Sequence, residues 1–303
     1  MSRRQPFFSI IIPTYDRPAE LPGCLEALAR LRFPRDSFEV LVVDDGSPAA
    51  PDAAVQRFRD RLPISLLTAV HGGPAAARNH GAERAEGRFV AFTDDDCRPA
   101  PDWLDALAAR CAGAPDHIIG GRTLNALAAN PYAAASQLIL DVVYGHYNAA
   151  AAGEARFFAS NNMTLAAERF RAIGGFDRDF STSEDRELCD RWLRHGYRLT
   201  YAPQALVYHA HPLNLRSFWW QHFGYGRGAW RFHQVRAQRG SGPFRPDWKF
   251  YRRLASAPFT QVRASRIPML AALILLSQMA NSAGFLCERS VPSATISRGR
   301  GRG

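Results

Sequence analysis

The chain of 303 residues has almost no lysine: Lys249 stands alone against a basic set that is otherwise arginine. We read that bias as coding-DNA composition and attach no function to it. Cysteine is sparse. The five cysteines, at positions 24, 97, 111, 189 and 287, show no paired spacing of a zinc site, and an odd number argues against a disulfide framework, so a reducing compartment is expected. The first six residues, Met1-Ser2-Arg3-Arg4-Gln5-Pro6, open no long apolar run, and no signal peptide is expected. Acidic side chains are nearly missing from the C-terminal part. Residues 216–303 carry 15 basic and 2 acidic side chains, whereas residues 1–215 carry 23 basic and 26 acidic ones. The net charge of +10 therefore belongs to the end of the chain. Apolar residues make up 47%, enough to build a core.

Three consecutive carboxylates, Asp94-Asp95-Asp96, follow the apolar run Phe89-Val90-Ala91-Phe92 and Thr93. The run reads as a short strand buried on both faces. Adjacent carboxylates are costly unless a cation or strong donors share the site. At the carboxyl end of an α/β strand, where ligands bind, the cation that fits is a hard divalent metal carrying a phosphate substrate. A solvated acidic turn explains the triplet equally well on its own.

Upstream, Ser9-Ile10-Ile11-Ile12 forms a strand that ends in Pro13-Thr14-Tyr15-Asp16-Arg17. Leu21, Cys24, Leu25, Leu28 and Leu31 share one helical face. Phe38 to Val43 is a second buried strand, closing on Asp44-Asp45-Gly46-Ser47. This strand-helix-strand unit predicts a parallel sheet with a right-handed crossover. Ile64-Ser65-Leu66-Leu67 reads as another strand. After Gly72-Gly73-Pro74, a helix over 75–85 carries Arg78 near its start. Arg78 is there either an anion ligand or an ordinary surface arginine.

Taken together, Ile12-Pro13-Thr14-Tyr15, Val42-Val43-Asp44-Asp45-Gly46-Ser47, Ala77-Arg78-Asn79 and Phe92-Thr93-Asp94-Asp95-Asp96 resemble the family 2 glycosyltransferases of the GT-A fold. Ser160-Asn161-Asn162-Met163, Ile173-Gly174-Gly175-Phe176-Asp177 and Ser183-Glu184-Asp185-Arg186-Glu187-Leu188 continue the resemblance, which covers roughly residues 7–212. It implies an α/β protein with a Rossmann-like mixed central sheet flanked by helices.

The resemblance also implies roles. Pro13 and Tyr15 would shape the base pocket of a nucleotide-diphospho-sugar, Tyr15 by stacking, and Asp45 would accept from the base. Arg78, Asp94 and Asp95 would complete the donor site. Asp94 and Asp96 would hold Mg²⁺ or Mn²⁺ against the diphosphate. His209 would be a third metal ligand, with His211 competing for that place. Asp185, with Glu184 beside it, would be the general base for an acceptor hydroxyl; plain N-terminal helix acids are the alternative. Asn161 and Asn162 would touch the sugar or tie down loop backbone. A carboxylate base acting directly implies inversion at the anomeric carbon. Acceptor selectivity is assigned to loops such as 122–153.

The remainder, 216–289, reads as a basic, aromatic helical extension, and 290–303 as a disordered tail. The segment 267–287 is free of charged side chains over 21 residues, with Arg263 and Arg266 before it and Arg289, Arg298, Arg300 and Arg302 after it. At about 1.5 Å per residue it is just long enough to cross a bilayer core. Arginine interleaved with tryptophan and tyrosine suits an anionic membrane surface, so attachment to the cytoplasmic face of the plasma membrane is expected. A buried core helix is the alternative. Nucleic acid, which a basic aromatic surface also suits, is not expected as a partner. The expected activity is transfer of a sugar to a lipid-linked or surface glycan. The alternatives are a soluble transferase for a small molecule or protein, and a non-catalytic basic binder.

Overall fold

The computed structural model describes residues 5–148, 155–242 and 244–291. The chain divides into two compact units, Met1–Pro212 and Leu213–Gly303.

The first unit opens with β1 (Phe8–Thr14), α1 (Leu21–Leu28), β2 (Phe38–Asp44), α2 (Asp52–Gln56) and β3 (Ile64–Thr68). It continues through α3 (Pro74–Arg84), β4 (Phe89–Phe92), β5 (Cys97–Pro99), α4 (Trp103–Cys111) and β6 (His117–Asn125). α5 (Pro131–Tyr147), β7 (Met163–Ala166), α6 (Ala167–Ala172), α7 (Glu184–Arg194) and β8 (Arg198–His209) complete it. The strands form one mixed sheet in the order β3-β2-β1-β4-β7-β6-β8-β5. β3, β2, β1 and β4 run parallel, and β7 is antiparallel to both β4 and β6.

Helices cover both faces, and the sequence of β1 shows why. Successive side chains of a strand point to opposite faces. Ile10 and Ile12 enter a core with Leu21, Leu25 and Trp103, while Ile11 enters the opposite core with Phe92, Leu188 and Trp192. A strand buried twice must be apolar throughout, as Ser9-Ile10-Ile11-Ile12 nearly is; the Ser9 hydroxyl is satisfied by Glu39. The strand order reverses direction of growth between β1 and β4, so the carboxyl ends of β1, β2 and β4 flank a crevice suited to a ligand. Thr14, Asp44 and the carboxylate triplet all lie at those ends.

The stretch 122–153 corrects the sequence reading. Over its described residues, 122–148, it finishes β6 and then builds α5, 17 residues long. Asn130 caps that helix by accepting from Ala133 N at 2.9 Å, and Pro131 occupies its first turn. Cap, N-terminal proline and the Ala133-Ala134-Ala135 run in the first turns are all favourable helix signals. Residues 149–153 lie outside the described residues.

The second unit is helical, with α8 (Leu215–Arg236), α9 (Trp248–Gln261) and α10 (Ile267–Arg289). Asn214 and Ser217 form a reciprocal capping box at the start of α8. α8 and α10 pack through facing glycines. A Cβ on Gly226 would fall inside the Asn281 carbonyl, and one on Gly284 inside the Phe223 carbonyl. Near the end of α10, Glu288 accepts from Arg227 Nε at 2.6 Å and from Arg231 Nε at 3.0 Å. The face of α10 carrying Leu270, Ile274, Ala280 and Gly284 is buried, while Met269, Leu275, Met279 and Leu286 stand exposed. The stretch Ala264–Arg289 is long and apolar enough to cross a membrane. Of the expected tail 290–303, residues 292–303 lie outside the described residues.

Candidate active site

Three β-strand ends and the start of α7 supply the site. Asp94, Asp95 and Asp96 leave β4, and Asp95 and Asp96 are buried. Each carboxylate has its own cationic or polar partner. Asp94 Oδ1 accepts from Arg78 Nη2 at 2.7 Å. Asp95 accepts from Thr14 Oγ1 and from Arg17 Nη1, both at 2.8 Å. Asp96 accepts from Arg17 Nη2 at 2.8 Å. Burial, opposed by Arg17 and Thr14, pushes the Asp95 carboxyl up to about 7. For Asp96 burial pulls the same way, but His209 and His211 outweigh it and hold the carboxyl well below its ordinary value.

Asp96 joins two histidines from the far edge of the sheet. β5 pairs antiparallel with the end of β8, placing Cys97 opposite His209. Asp96 Oδ1 lies 3.1 Å from His209 Nε2, and Oδ2 lies 2.9 Å from His211 Nδ1. The imidazoles stack at 8° with centroids 5.3 Å apart. The potential ligand atoms of Asp96, His209 and His211 all lie within 4.8 Å of one another. One carboxylate with two imidazoles is a nitrogen and oxygen set that suits Mn²⁺ and related divalent ions. The donor set therefore fits the expected metal. Asp94, an expected ligand, is not in that group and pairs with Arg78.

Arg78 is buried, so the surface-arginine alternative is excluded. It is 4% exposed and spans two carboxylates, reaching Glu184 Oε1 at 2.9 Å with Nη1 while Nη2 holds Asp94. Burial works against its charge, and Asp94 and Glu184 more than restore it, so the guanidinium stays protonated. Asn79 fixes the neighbouring wall. Its side chain donates to Phe176 O and accepts from Phe176 N, both at 2.8 Å. That wall is set by the turn after α6, where Gly174 and Gly175 take φ of +89° and +67°, values that favour glycine.

At the start of α7, Glu184 is occupied by Arg78, and Asp185 is placed differently. Asp185 accepts from its neighbour Arg186 N at 2.7 Å and from Ser160 N at 3.4 Å. Burial, reinforced by the charge of Glu184, raises its carboxyl to about 7. That value suits a group that must take up a proton near neutrality.

The expected base pocket lies at the ends of β1 and β2. Asp45 is buried and accepts from Gly72 N and Gly73 N, each at 2.9 Å, so it organises the loop leading into α3. Two oxygens offer further acceptor sites. Tyr15 is 43% exposed, with its ring 4.3 Å from that of His71. Pro13 lies within β1, opposite Val43. Asp44 caps the following turn by accepting from Ser47 N at 3.1 Å. Asn162 ties down backbone, donating to Arg122 O and Ala205 O while accepting from Trp103 Nε1. Asn161 accepts from Thr123 Oγ1 at 3.2 Å.

Arg17 and His71 were absent from the residues singled out in the sequence. Arg17 was legible as the one cation of the Tyr15-Asp16-Arg17 loop, but its partners lie 78 and 79 positions away. His71 precedes the Gly72-Gly73 break and had no pattern of its own.

The model of the family described as glycosyl transferase family 2 matches residues 9–173, more than half of the chain. This chain belongs to that family. It is 28% identical over 217 residues to glycosyltransferase AglE of Haloferax volcanii, a match covering 69% of this chain and 68% of that one. It is 32% identical over 216 residues to the pre-mycofactocin glycosyltransferase of Mycobacterium tuberculosis, covering 69% of this chain but 44% of that longer one. Among solved structures, the mannosyltransferase PcManGT of Pyrobaculum calidifontis, in complex with GDP-Man and Mn²⁺, superposes with a TM-score of 0.62. That likeness has 21% identity and covers 97% of this chain and 79% of the other. The shared architecture is the GT-A fold.

Proposed function

We propose that this chain is an inverting, divalent-metal-assisted glycosyltransferase that moves a sugar from a nucleotide-diphospho-sugar to a hydroxyl of a lipid-linked or surface glycan at a membrane. One observation carries the proposal. The buried guanidinium of Arg78 ties Asp94 to Glu184, which brings the carboxylate motif at the end of β4 to the helix start bearing Asp185. The neighbour of the candidate base and the first carboxylate of the triplet are thus held by one guanidinium, which supports reading them as parts of one site.

In this reading Tyr15 stacks on the nucleotide base, with Pro13 and Asp45 shaping its pocket. A divalent ion held by Asp96, His209 and His211, with Asp94 nearby, would neutralise the diphosphate as it leaves. Asp185 takes the proton of the acceptor hydroxyl, and the oxygen attacks the anomeric carbon from the face opposite the diphosphate. No covalent enzyme intermediate is required, so the anomeric configuration inverts. Glu184 acts on Asp185 through its charge rather than on the acceptor. The presence of GDP-Man and Mn²⁺ in the complex of the structurally similar mannosyltransferase supports a nucleotide sugar and a divalent ion here.

The membrane part rests on α10. Its exposed face is apolar, and the opposite face is committed to α8 through Gly226 and Gly284. α8 carries Arg216, Arg227, Arg231 and Arg236 along its length. Charged side chains inside hydrocarbon cost several kcal/mol, about 2.5–3.5 each at a span's centre, so a pair of this composition does not enter the bilayer core. α10 then lies along the surface, its outer face toward acyl chains and arginines toward anionic headgroups.

Titration calorimetry with a panel of nucleoside diphosphates, with and without Mn²⁺, tests the donor site. Metal-dependent binding of one nucleotide, lost in Asp96→Ala, is expected. A folded protein that binds none of them would sink the proposal.

A further inference from the structure

Two arginines serve the carboxylate triplet, and they are not equivalent. Arg78 is sealed inside the protein and joins two elements. Arg17 sits on the loop after β1, its side chain 33% exposed, and pairs with Asp95 and Asp96. Its loop is held by the backbone rather than by the guanidinium: Asp16, at a φ of +49°, donates its N–H to Ser47 Oγ at 2.9 Å. The side chain can therefore leave without unfolding the turn.

The atoms that Arg17 touches are the ones a metal would need. Asp96 Oδ2 accepts from Arg17 Nη2 at 2.8 Å and lies 2.9 Å from His211 Nδ1. Arg17 Nη2 is itself 3.4 Å from that same His211 nitrogen. A guanidinium has donors only, so it cannot share a coordination sphere with a cation. Two buried, adjacent carboxylates left without a counter-charge are strongly destabilising. Asp96 has His209 and His211 as further partners, but among the described residues Arg17 is the one guanidinium seen to reach both Asp95 and Asp96.

We infer that Arg17 is the resident counter-cation of the carboxylate triplet, and that a divalent metal binds Asp96 and His211 by displacing it. The inference rests on the metal reading above. On displacement, Asp95 keeps its hydrogen bond from Thr14, and the arriving ion replaces the lost positive charge. The freed guanidinium, already 33% exposed, is then available to an anionic ligand. Metal affinity in the absence of donor is weakened by the competition, which favours arrival of metal together with a nucleotide diphosphate that can hold it.

The test is Mn²⁺ alone, titrated into the purified full chain, with free Mn²⁺ followed by electron paramagnetic resonance. Arg17→Ala is expected to bind Mn²⁺ tighter than wild type by on the order of tenfold, the worth of one charge-assisted hydrogen bond. Arg17→Lys, which keeps a cation, is expected to fall between them. Metal-free Arg17→Ala should melt below wild type, and saturating Mn²⁺ should raise its Tm by more than it raises that of wild type. If Arg17→Ala stays folded and binds Mn²⁺ no tighter than wild type, or if only Arg17→Lys stays folded and binds it no tighter than wild type, or if neither variant binds it, the displacement idea fails. Should tight Mn²⁺ binding survive Asp96→Ala, the metal site itself is wrongly placed. Nucleotide binding, measured separately, reports on the transferase reading whatever Arg17 does.

Discussion

The Arg78 guanidinium donates to Glu184 Oε1 at 2.9 Å from inside the protein, 106 positions away in sequence. This buried pair makes the start of α7 and the end of β4 one mechanical unit. Removing one partner leaves a charge buried and uncompensated, which typically costs about 3–5 kcal/mol. Arg78→Ala is expected to lower the urea midpoint accordingly and to abolish donor binding. Arg78→Lys should recover little of either, because an ammonium cannot span two carboxylates as a planar fork does. Urea unfolding with nucleotide titration checks both.

Asp185→Asn should keep nucleotide binding and lose about 10²–10⁴-fold in kcat, the usual worth of a positioned general base. Retained kcat in that variant would remove Asp185 from the mechanism.

The pH profile follows from the same carboxyl. The base must be unprotonated, and burial with the charge of Glu184 raises Asp185 to about 7. The rate should therefore rise with pH through about 7 and level off above it. The stability contribution of this group runs the other way: it is full below the ordinary carboxylate range and is lost as pH rises through about 7. Glu184→Gln removes the neighbouring charge but keeps an acceptor for Arg78, so the rising limb should move to lower pH. A limb that stays in place would separate it from Asp185.

The second unit has its own test. Leu275→Asp with Met279→Asp, both on the exposed face of α10, should abolish flotation with vesicles containing anionic lipid. Nucleotide binding should be unchanged. Vesicle binding that persists in the double variant would rule out that face as the contact.

Gly226→Ala probes the pairing beneath. The added Cβ would overlap the Asn281 carbonyl, and overpacking of this kind typically costs about 1–3 kcal/mol. Proteolysis at the exposed aromatics of α8 and α9 should speed up in the variant.

Much of the first unit was legible in the sequence, for a physical reason. Strands buried on both faces must be continuously apolar, and each of Ile10-Ile11-Ile12, Val40 to Val43 and Phe89 to Phe92 announces itself that way. Polar residues that close such strands, Asp44, Asp45 and the triplet, lie where the sheet needs no apolar side chain. α5 was hard to read because its apolar residues run together, Leu138-Ile139-Leu140 and Val142-Val143-Tyr144, rather than recurring at helical spacing. The partnerships inside the site were illegible. Nothing local tells whether Arg78 faces a ligand or two carboxylates, or that Arg17 will meet Asp95 and Asp96. Those pairings are products of topology, between chain segments tens of residues apart.

The pairing of β5 with β8 has a consequence for when the site comes into being. Cys97 opposes His209, and Ala210 N donates to Asp96 O at 2.8 Å. His209 ends β8, and His211 follows it with its ring stacked on that of His209; a slip of one residue in the β5–β8 register would turn His209 away from Asp96. The three groups therefore converge only after the outermost strand has docked in register, a contact of long sequence separation that forms slowly. A chain still emerging from the ribosome offers a metal ion an isolated carboxylate. On the proposed metal reading, capture of an ion would report that β5 and β8 have paired in register.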